Sequence, residues 1–393
     1  MAIKIFVGTS PGTDDEPAEK VLEYSLRKFA TEELDIHFMR KDSTPFYSGF
    51  DTSQWYTPFS SLRWTIPEQC NFEGRAIYMD VDQLNLKDIA EFYNMDMNGA
   101  PFACRKGGRT CVMLLDNEKM KDLVDPLDVI KKRADYSAYA YQKFTPYGVE
   151  YDPRWNCLDG EGRNPFDIWH LHFTNMSTQP WRPAWGPEIH KHHNIPFEHQ
   201  QHPRVDLAAL WEWFLFEAVN NDDTVMASSE YKKLLEMEHE KSGWGVMAAN
   251  MIDTIRAVIN KYNPETILDY GAGQGGFKRA LNDPTKDVRE YDIGIPELSA
   301  RPEPAEFVVC IDVLEHVELN YVENVLKDLA RVTQKAGYFN VSTAPAQRKL
   351  SDGRNAHVTV RPSHWWTERI SRHFHIVAKS KDEVSVNYEV IPK

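Results

Sequence analysis

Short apolar runs alternate with segments of helical periodicity along about the first 180 residues of the chain. The apolar runs that we interpret as strands are residues 3–7, 35–39 and 74–79. Between the first two runs, residues 18–30 place apolar side chains at the spacing of one helix face, namely Val21, Leu22, Leu26 and Phe29. Such alternation predicts an α/β domain built on a mostly parallel sheet.

The stretch 146–196 is rich in Trp, Pro, His and Asn, which predicts long irregular loops of the kind that carry binding residues. The apolar and aromatic segment 206–219 predicts a buried helix that closes the first domain. The polar sequence Asn220-Asn221-Asp222-Asp223 then interrupts the pattern. We place the start of a linker there.

A second α/β pattern follows this interruption. Helices are predicted over residues 229–240, 247–262 and 321–333, and strands over 265–269, 288–291, 307–311 and 337–342. Two final apolar runs, 374–379 and 384–391, are separated by four polar residues and predict an antiparallel hairpin. We therefore expect an α/β protein with a domain over residues 1–219, a linker over 220–244 and a second domain over 245–393.

Length and composition fit this organisation. A chain of 393 residues can form two cores, because single domains cluster near about 100–200 residues. A hydrophobic content of 42% indicates a globular protein. The sequence contains no stretch of about 18 apolar residues that would predict a membrane span, and its N-terminus lacks the features of a signal peptide. Five cysteines without a C-x-x-C pair favour reduced thiols in the cytoplasm and argue against a structural zinc site.

The formal net charge of −14 argues against tight nonspecific binding of nucleic acid, because phosphate backbones attract clustered Lys and Arg. The short basic pieces Arg105-Lys106 and Lys131-Lys132-Arg133 are interpreted as solvated faces. Local fields can oppose the net charge, so nucleic acid stays open as a substrate only.

Two carboxylates, Asp80 and Asp82, stand at the end of the apolar run 74–79. Alternate side chains of an extended chain share a face, so both carboxylates can approach one cation. Mg²⁺ and Mn²⁺ prefer such oxygen ligands and keep positions for phosphate oxygens. Taken alone, the Asp-x-Asp sequence favours the alternative interpretation of solvated carboxylates in a turn.

Three further segments accompany this pair. They are strand 3–7 running into Gly8-Thr9-Ser10, residues 59–68 around Arg63, and the segment from Leu171-His172 to Gln179-Pro180-Trp181. Together with Asp-x-Asp, they make about residues 1–215 resemble the metal-dependent GT-A glycosyltransferases related to glycogenin and the bacterial lipopolysaccharide galactosyltransferases.

This resemblance implies a nucleotide-diphospho-sugar transferase fold and assigns roles to single residues. Thr9 and Arg63 would contact the nucleotide-sugar donor, expected to be a UDP-sugar, and Asp80, Asp82 and His172 would bind Mn²⁺ or Mg²⁺. The late motif of the family is one residue shorter and carries Lys where this chain has Gln179. Gln179 therefore stands in the place of the family's diphosphate contact.

A glycine-rich turn follows the predicted strand that ends at Asp269, with Gly271, Gly273 and Gly275 at alternate positions. Glycines let the backbone turn tightly and approach a ligand without a Cβ clash. A dinucleotide fold would require the spacing Gly-x-Gly-x-x-Gly instead. A purely structural turn is the alternative interpretation.

Two more carboxylates end the strands that follow. Asp292 stands about twenty residues beyond the glycines, where a carboxylate can hold a ribose diol. Asp312 opens the segment Asp312-Val313-Leu314-Glu315-His316. With the final hairpin, this order makes about residues 240–393 resemble the class I S-adenosylmethionine-dependent methyltransferases, which have a Rossmann-like fold.

The methyltransferase resemblance implies a role for each of these positions. Asp269, Gly271, Gly273 and Gly275 would hold the methionine part of S-adenosylmethionine, Asp292 would hold the ribose, and Asp312 would lie near the adenine or the substrate entrance.

Histidines supply the candidates for a catalytic base. A neutral imidazole at His316 or His357 can accept a proton from a hydroxyl or an amine, although His316 could equally be a hydrogen-bonded core residue. A dense histidine patch comprises His190, His192, His193, His199 and His202. Its spacing fits no closed tetrahedral metal motif, so we favour a solvated loop over a Zn²⁺ or Ni²⁺ site.

The leading hypothesis is a bifunctional enzyme, a glycosyltransferase joined to a methyltransferase that acts on the transferred sugar or on a small-molecule or glycan acceptor. One alternative is a phage-type enzyme that glycosylates or modifies DNA bases. Another is a methyltransferase with a non-catalytic, sugar-binding GT-A module, which the Gln179 departure favours.

Overall fold

The computed structural model describes residues 2–53, 55, 57–132, 143–182, 200–241 and 247–393. The chain divides into two compact units, Met1–Ala218 and Val219–Lys393. Within the described residues, each unit contains its own six-stranded sheet, as the predicted α/β class requires. Of the histidine patch, His190, His192, His193 and His199 lie outside the described residues.

The N-terminal unit follows the predicted alternation of strands and helices. Its strands are β1 (Ile3–Thr9), β2 (Leu34–Arg40), β3 (Arg75–Asp80), β4 (Gln83–Asn85), β5 (Phe102–Arg105), β6 (Arg109–Asp116), β7 (Val149–Glu150), β8 (Cys157–Leu158) and β9 (His170–His172). Its helices are α1 (Glu16–Phe29), α2 (Ile66–Gln69), α3 (Ile89–Tyr93), α4 (Asn117–Met120), α5 (Leu127–Lys131) and α6 (Val205–Asn220).

The main sheet of this unit is mixed, with the strand order β2-β1-β3-β6-β5-β7. Strand β1 lies between parallel neighbours β2 and β3, whereas β6 runs antiparallel to both β3 and β5. The parallel arrangement that we expected therefore holds for only part of the sheet. For β5 and β6 the reason is the tight turn through Gly107 and Gly108, both at positive φ, because strands joined by a hairpin must run antiparallel.

Burial explains why β1 and β3 read as nearly continuous apolar runs. Ile5, Val7, Ile77 and Met79 are fully buried in the centre of the sheet, where both faces are covered. A separate three-stranded sheet, in the order β4-β9-β8, pairs His172 with Gln83 just beyond the end of β3. This pairing brings the late His segment next to the Asp-x-Asp segment.

The C-terminal unit carries the second α/β pattern. Its helices are α7 (Ser229–His239), α8 (Met247–Asn250), α9 (Ile252–Tyr262), α10 (Gly276–Leu281), α11 (Val322–Val332) and α12 (Ser363–His373). Its strands are β10 (Thr266–Tyr270), β11 (Asp287–Tyr291), β12 (Ala305–Ile311), β13 (Thr333–Ser342), β14 (Phe374–Lys381) and β15 (Ser385–Pro392).

The sheet of this unit has the order β11-β10-β12-β13-β15-β14. Strands β10 to β13 pair in parallel, and β15 pairs antiparallel with β13 and β14. The predicted final hairpin is therefore confirmed. Because the carboxyl ends of parallel strands meet at one edge, the segments after β10, β11 and β12 border the same crevice.

Residues 219–241, which we assigned largely to a linker, are an ordered part of the C-terminal unit. Asn324 is fully buried on α11 and donates from Nδ2 to the carbonyl oxygens of Val219, Asp222 and Val225 at 3.0, 2.9 and 2.9 Å. Tyr231 on α7 is also buried, and its hydroxyl donates to a backbone carbonyl of the same unit at 2.7 Å. Among the described residues, no helix has the length and apolar character needed to cross a membrane.

Candidate active sites

The N-terminal unit contains a cavity of about 590 Å³, bordered by the segment after β3 and the beginning of β6. This volume lies in the usual range of small-molecule sites. Asp80, Asp82, Cys111, His172 and Gln179 all line it. The structure therefore brings together the two carboxylates and the histidine that the sequence singled out.

Asp80 is held in place by its neighbours. Nη2 of Arg63 donates to its Oδ1 at 3.1 Å, and the hydroxyl of Tyr78 donates to the same oxygen. Burial raises the pKa of Asp80, an effect that the charge of Arg63 opposes. The close passage of Tyr78 requires Gly8, because a Cβ there would lie 2.4 Å from the Tyr78 hydroxyl oxygen.

His172 faces Asp82 with its second ring nitrogen. Nδ1 of His172 lies 3.0 Å from Oδ1 of Asn156, and because an amide oxygen only accepts, Nδ1 carries the hydrogen. Nε2 then lies 3.2 Å from Oδ1 of Asp82. If the imidazole were neutral, Nε2 and Oδ1 would both present lone pairs to each other. The contact therefore requires a proton or a cation between these two atoms.

The electrostatics of His172 reflect that requirement. Burial lowers the pKa of His172, but the adjacent charges of Asp82 and Cys111 outweigh it and raise the pKa well above its ordinary value. Asp82 is further held by Gln179, whose Nε2 donates to its Oδ2 at 3.1 Å. The cluster thus presents two carboxylates and one imidazole, a donor set that suits Mn²⁺ or a similar divalent cation.

Cys111 is a member of this cluster that the sequence did not indicate. Ligand atoms of Asp80, Cys111 and His172 all lie within 4.8 Å of one another. Strand pairing explains the proximity, because the antiparallel register sets Met79 opposite Val112 and so brings Cys111 next to Asp80. The sulfur also accepts a hydrogen bond from Nδ2 of Asn156 at 3.1 Å.

Two predicted donor contacts have other partners in the structure. Thr9 is fully buried, its hydroxyl donates to Oε1 of Glu19 at 2.6 Å, and it is not one of the residues that line the cavity. Arg63 does line the cavity, but besides binding Asp80 it donates from Nε to the carbonyl oxygen of Ser60 at 2.8 Å. In this structure Arg63 positions Asp80.

Further basic side chains border the same cavity. Arg182, one residue beyond the late motif, is buried and donates to Oε1 of Gln179 at 2.7 Å and to Oδ1 of Asp15 at 2.9 Å. Lys106 and Arg109 line the cavity as exposed side chains. We had interpreted Lys106 as part of a solvated face, and its place at the cavity adds a candidate contact for an anionic ligand.

His202 is the described member of the histidine patch, and it has a structural partner. Its Nε2 lies 3.1 Å from Oδ2 of the buried Asp159, and its Nδ1 lies 2.9 Å from the carbonyl oxygen of Arg204. A buried imidazole with both nitrogens occupied in this way stabilises the loop around it. This environment differs from the solvated loop that we favoured.

The C-terminal unit contains a second cavity at the carboxyl edge of its parallel strands. Predicted site residues that line it are Asp269, Gly271, Gly273, Asp292, Asp312 and His316. Gly275 is the N-cap of α10, at φ 72°. The order of these positions along the edge follows the strand order of the sheet.

The turn after β10 needs glycine. Gly271 has φ 83°, and a Cβ there would lie 2.3 Å from Cγ2 of Val313. Gly273 has φ 53°, and its N–H donates to Oδ2 of Asp292 at 2.8 Å. Asp292 also accepts from the N–H of Gly294 at 2.9 Å, so its carboxylate ties the turn to the next strand.

Asp269 is a buried carboxyl at the floor of this cavity. Burial raises its pKa to about 8, and the charges of Glu290 and Asp292 add to the increase. No donor among the described residues reaches its Oδ2. A buried acceptor left open beside a glycine turn fits a cationic group such as the ammonium of S-adenosylmethionine.

The two predicted bases stand together with Asp312. Ring centroids of His316 and His357 are 4.8 Å apart and nearly perpendicular. Burial lowers the pKa of His316 to about 4, so this imidazole is neutral at neutral pH. Ligand atoms of Asp312, His316 and His357 all lie within 4.8 Å of one another.

Helix α7 supplies part of the cavity wall that the sequence had assigned to a linker. Tyr231, Leu235 and His239 all line the cavity. Nε2 of His239 lies 3.5 Å from Oδ1 of Asp292. The apolar face of α7 was the one feature of the sequence that could have indicated a role in the cavity wall. A single sequence does not show where that face packs.

Comparison with known proteins identifies one of the two units. Residues 246–381 match the family model described as a methyltransferase domain. A search of curated proteins finds no match to the chain.

Solved structures similar to this chain include glycosyltransferases and the N-terminal domain of EvdMO1. The bifunctional glycosyltransferase WbbM is 11% identical with a TM-score of 0.37, covering 46% of this chain and 47% of its own, so this chain spans about half of WbbM. The galactosyltransferase LgtC is 9% identical with a TM-score of 0.37, covering 55% of this chain and 96% of its own. The N-terminal domain of EvdMO1, solved with SAH and D-fucose, is 16% identical with a TM-score of 0.26, covering 36% of this chain and 82% of its own.

The family match coincides with the parallel sheet, the glycine turn and the cavity of the C-terminal unit. The methyltransferase resemblance drawn from the sequence is thereby confirmed. Residues 246–381 form a methyltransferase domain.

Proposed function

We propose that the chain is a bifunctional enzyme. Its N-terminal unit transfers a sugar from a nucleotide-sugar donor in a cation-dependent reaction, and its C-terminal unit transfers a methyl group from S-adenosylmethionine to that sugar or to its acceptor. The observation that carries the first activity is the convergence of Asp80, Asp82 and His172 in one cavity bordered by Arg63 and Arg182.

Each of these side chains has a defined task in the proposed sugar transfer. Asp80, Asp82 and His172 would hold the divalent cation, which would supply positive charge to offset the negative charge on a departing nucleoside diphosphate. Arg63 fixes the orientation of Asp80, and Gln179 fixes that of Asp82. Preorganised ligands of this kind avoid the cost of ordering them when the donor binds.

The position of Arg182 favours the interpretation that the N-terminal unit is catalytically active over the alternative that it is a non-catalytic module. The loss of the family's Lys at position 179 favoured a non-catalytic module, but Arg182 contacts Gln179 directly and lines the same cavity. Its guanidinium can form bidentate hydrogen bonds with a diphosphate, which suits Arg182 to binding the donor. We propose that Arg182 supplies the positive charge that Gln179 cannot.

In the C-terminal unit, the glycine turn and Asp269 hold the methionine part of S-adenosylmethionine, and Asp292 fixes the turn beside the ribose. The sulfonium brings the activated methyl group. The side chains of the chain orient it toward an acceptor bound beside Asp312 and His316. Because both units belong to one chain, the product of one reaction is formed at high local concentration near the site of the other.

Binding experiments with Asp82→Asn test the proposed sugar-transfer site. We expect the wild-type protein to bind UDP in the presence of Mn²⁺, and the variant to lose at least about tenfold in that affinity, since a neutral amide is a poorer cation ligand. Calorimetry with UDP, with and without Mn²⁺, measures this difference. Binding of S-adenosylhomocysteine is expected to stay unchanged.

The exposed Asp167 offers a matched control, because Asp167→Asn makes the same chemical change away from the cavity. Equal UDP affinities for Asp82→Asn and Asp167→Asn would contradict the assignment.

A further inference from the structure

Asp312 and His316, which line the methyltransferase cavity, form a cluster with His357 that a catalytic base alone does not account for. Asp312, His316 and His357 each offer a ligand atom within 4.8 Å of the others. Nε2 of His357 lies 3.8 Å from Oδ1 of Asp312, too far for a hydrogen bond. Two atoms bound to one ion at about 2.0–2.6 Å can lie this far apart.

Both imidazoles are held in the tautomer that metal-binding histidines use. Nδ1 of His316 lies 2.8 Å from the carbonyl oxygen of Ala356, and Nδ1 of His357 lies 2.6 Å from that of Ala344. Because a carbonyl oxygen only accepts, each Nδ1 carries the hydrogen and each Nε2 carries the lone pair. A backbone carbonyl behind the ring is a common outer support of a metal ligand.

Hydrogen bonds within the loop that carries His357 fix its conformation. Oδ1 of Asn355 accepts from the N–H groups of Ala346 and His357 at 2.9 and 3.0 Å, and its Nδ2 donates to the carbonyl oxygen of Ala346 at 2.8 Å. The position of His357 is therefore set by the loop and does not depend on a ligand.

A buried carboxyl provides an independent observation. Glu315 is fully buried, its side chain contacts Asp312, and no donor among the described residues reaches its Oε2. Two neighbouring carboxyl groups and two imidazole lone pairs then share one small volume. A bound cation would satisfy such a concentration of carboxyl and imidazole ligand atoms.

Asp312 also holds an unusual backbone conformation. Its φ is 58°, a region that few residues other than glycine adopt, and its N–H donates to the carbonyl oxygen of Asn340 at 3.2 Å. Strain of this kind persists where the surroundings fix the conformation. Here it accompanies a side chain that lines the cavity beside His316.

We propose that Asp312, His316 and His357 bind a divalent cation in the methyltransferase cavity, and that this ion binds the methyl acceptor through two neighbouring hydroxyl groups. The ion site stands on geometry alone, whereas the acceptor class rests on the proposed methyl transfer. Imidazole and carboxylate ligands together suit Mn²⁺ or Zn²⁺. The acceptor class that matches is a vicinal diol, as on a sugar ring.

The proposed transfer is balanced without a further reactant. The acceptor hydroxyl gives its proton to solvent, its oxygen forms a bond to the methyl carbon, and the carbon–sulfur bond breaks with its electron pair returning to sulfur. The products are a methyl ether and S-adenosylhomocysteine. The two histidines would then act as ligands in place of the base role predicted from the sequence.

Mn²⁺ binding to the full-length Asp80→Ala/Asp82→Ala protein tests the inference, because these substitutions remove the N-terminal carboxylate ligands. Electron paramagnetic resonance is expected to detect one bound Mn²⁺ per chain. Adding His357→Gln or Asp312→Asn should weaken it at least about tenfold. Asn is chosen because it tolerates positive φ.

The exposed His375 provides the matched control, and His375→Gln should leave Mn²⁺ binding unchanged. If the background variant does not fold, the otherwise unsubstituted chain is expected to bind two Mn²⁺ and the His357→Gln chain one. Absence of the residual ion, or its persistence in both site variants, would overturn the inference.

Calorimetry with S-adenosylhomocysteine on the same proteins separates this inference from the proposed function. Binding of S-adenosylhomocysteine without residual Mn²⁺ would reject only the ion. Absence of S-adenosylhomocysteine binding to the wild-type chain would reject the proposed methyl transfer.

Discussion

Side chains in both cavities make contacts or leave atoms open in ways that a cation would satisfy. Oδ1 of Asp82 lies 3.2 Å from Nε2 of His172, a contact that requires a proton or a cation, and the buried Asp269 has an oxygen that no described donor reaches. Burying polar groups in this way costs stability unless something compensates for it. Such places are therefore expected where a cation or a cationic ligand binds.

The raised pKa of Asp269 leads to a pH-dependent prediction. Its pKa is about 8 in the folded protein against an ordinary 3.8, so the folded state favours the neutral acid. This contribution to the free energy of unfolding is complete below about pH 4 and is lost progressively as the pH rises to about 8. Asp269→Asn removes the ionisation and should raise the ligand-free melting temperature at pH 8 but not at pH 4.

Thermal unfolding between pH 4 and 8 measures the effect, with the exposed Asp287→Asn as a control that should show no such trend. A variant of Asp269 that is less stable than the parent at both ends of this range would contradict the explanation.

At the scale of single residues, the sequence predicted the main residues of the candidate sites but not all of the residues that contact them. Asp80, Asp82 and His172 were predicted as one group, and the structure brings them together. Cys111 was missed because its proximity depends on the register of β3 and β6, which the sequence does not state. Thr9 was assigned to the donor, but its hydroxyl binds Glu19.

At the scale of elements, the turn between β10 and α10 shows why glycine is required. Alanine at a positive φ costs about 1–2 kcal/mol. Gly271→Ala would add the 2.3 Å contact with Val313, and overpacking costs typically about 1–3 kcal/mol more. We therefore expect Gly271→Ala to lower the free energy of unfolding and to weaken S-adenosylhomocysteine binding.

Gly353→Ala is a matched comparison, because Gly353 has φ 90° with nothing within 4 Å of the added Cβ. It should show the conformational cost alone in denaturant unfolding. Val313→Ala in the Gly271→Ala protein should recover part of the difference. Equal losses for the two glycine variants would mean that the steric contact does not matter.

Periodicity predicted most elements well, and the reasons for the exceptions are physical. The parallel β10 to β13 strands and the final hairpin follow from local patterns. The antiparallel pairing of β5 and β6 follows from the turn through Gly107 and Gly108, whereas that of β3 and β6 joins strands distant in sequence. The role of α7 depends on contacts distant in sequence, such as those that Asn324 makes with residues 219–225.

On the scale of the whole molecule, each unit has its own sheet, core and cavity. We predict that a fragment of residues 219–393 folds and binds S-adenosylhomocysteine within about twofold of the full chain. A fragment of residues 245–393, which begins at the sequence-predicted boundary, should lose at least about tenfold. It lacks Tyr231, Leu235 and His239, which line the cavity.

Calorimetry on both fragments makes the comparison, with circular dichroism as the control for folding. Equal affinities for the two fragments would show that α7 is a linker after all.

The central claim is that one chain carries out sugar transfer and methyl transfer, and mass spectrometry of reaction products tests it most directly. The wild-type chain would be incubated with a panel of UDP-sugars and candidate glycan acceptors, with and without Mn²⁺ and S-adenosylmethionine. We predict a product that gains a hexose-type unit only with Mn²⁺ and a methyl group only with S-adenosylmethionine, and no sugar addition by Asp82→Asn. Methylation in the panel without any Mn²⁺-dependent release of UDP, in a protein that also fails to bind UDP, would contradict the account.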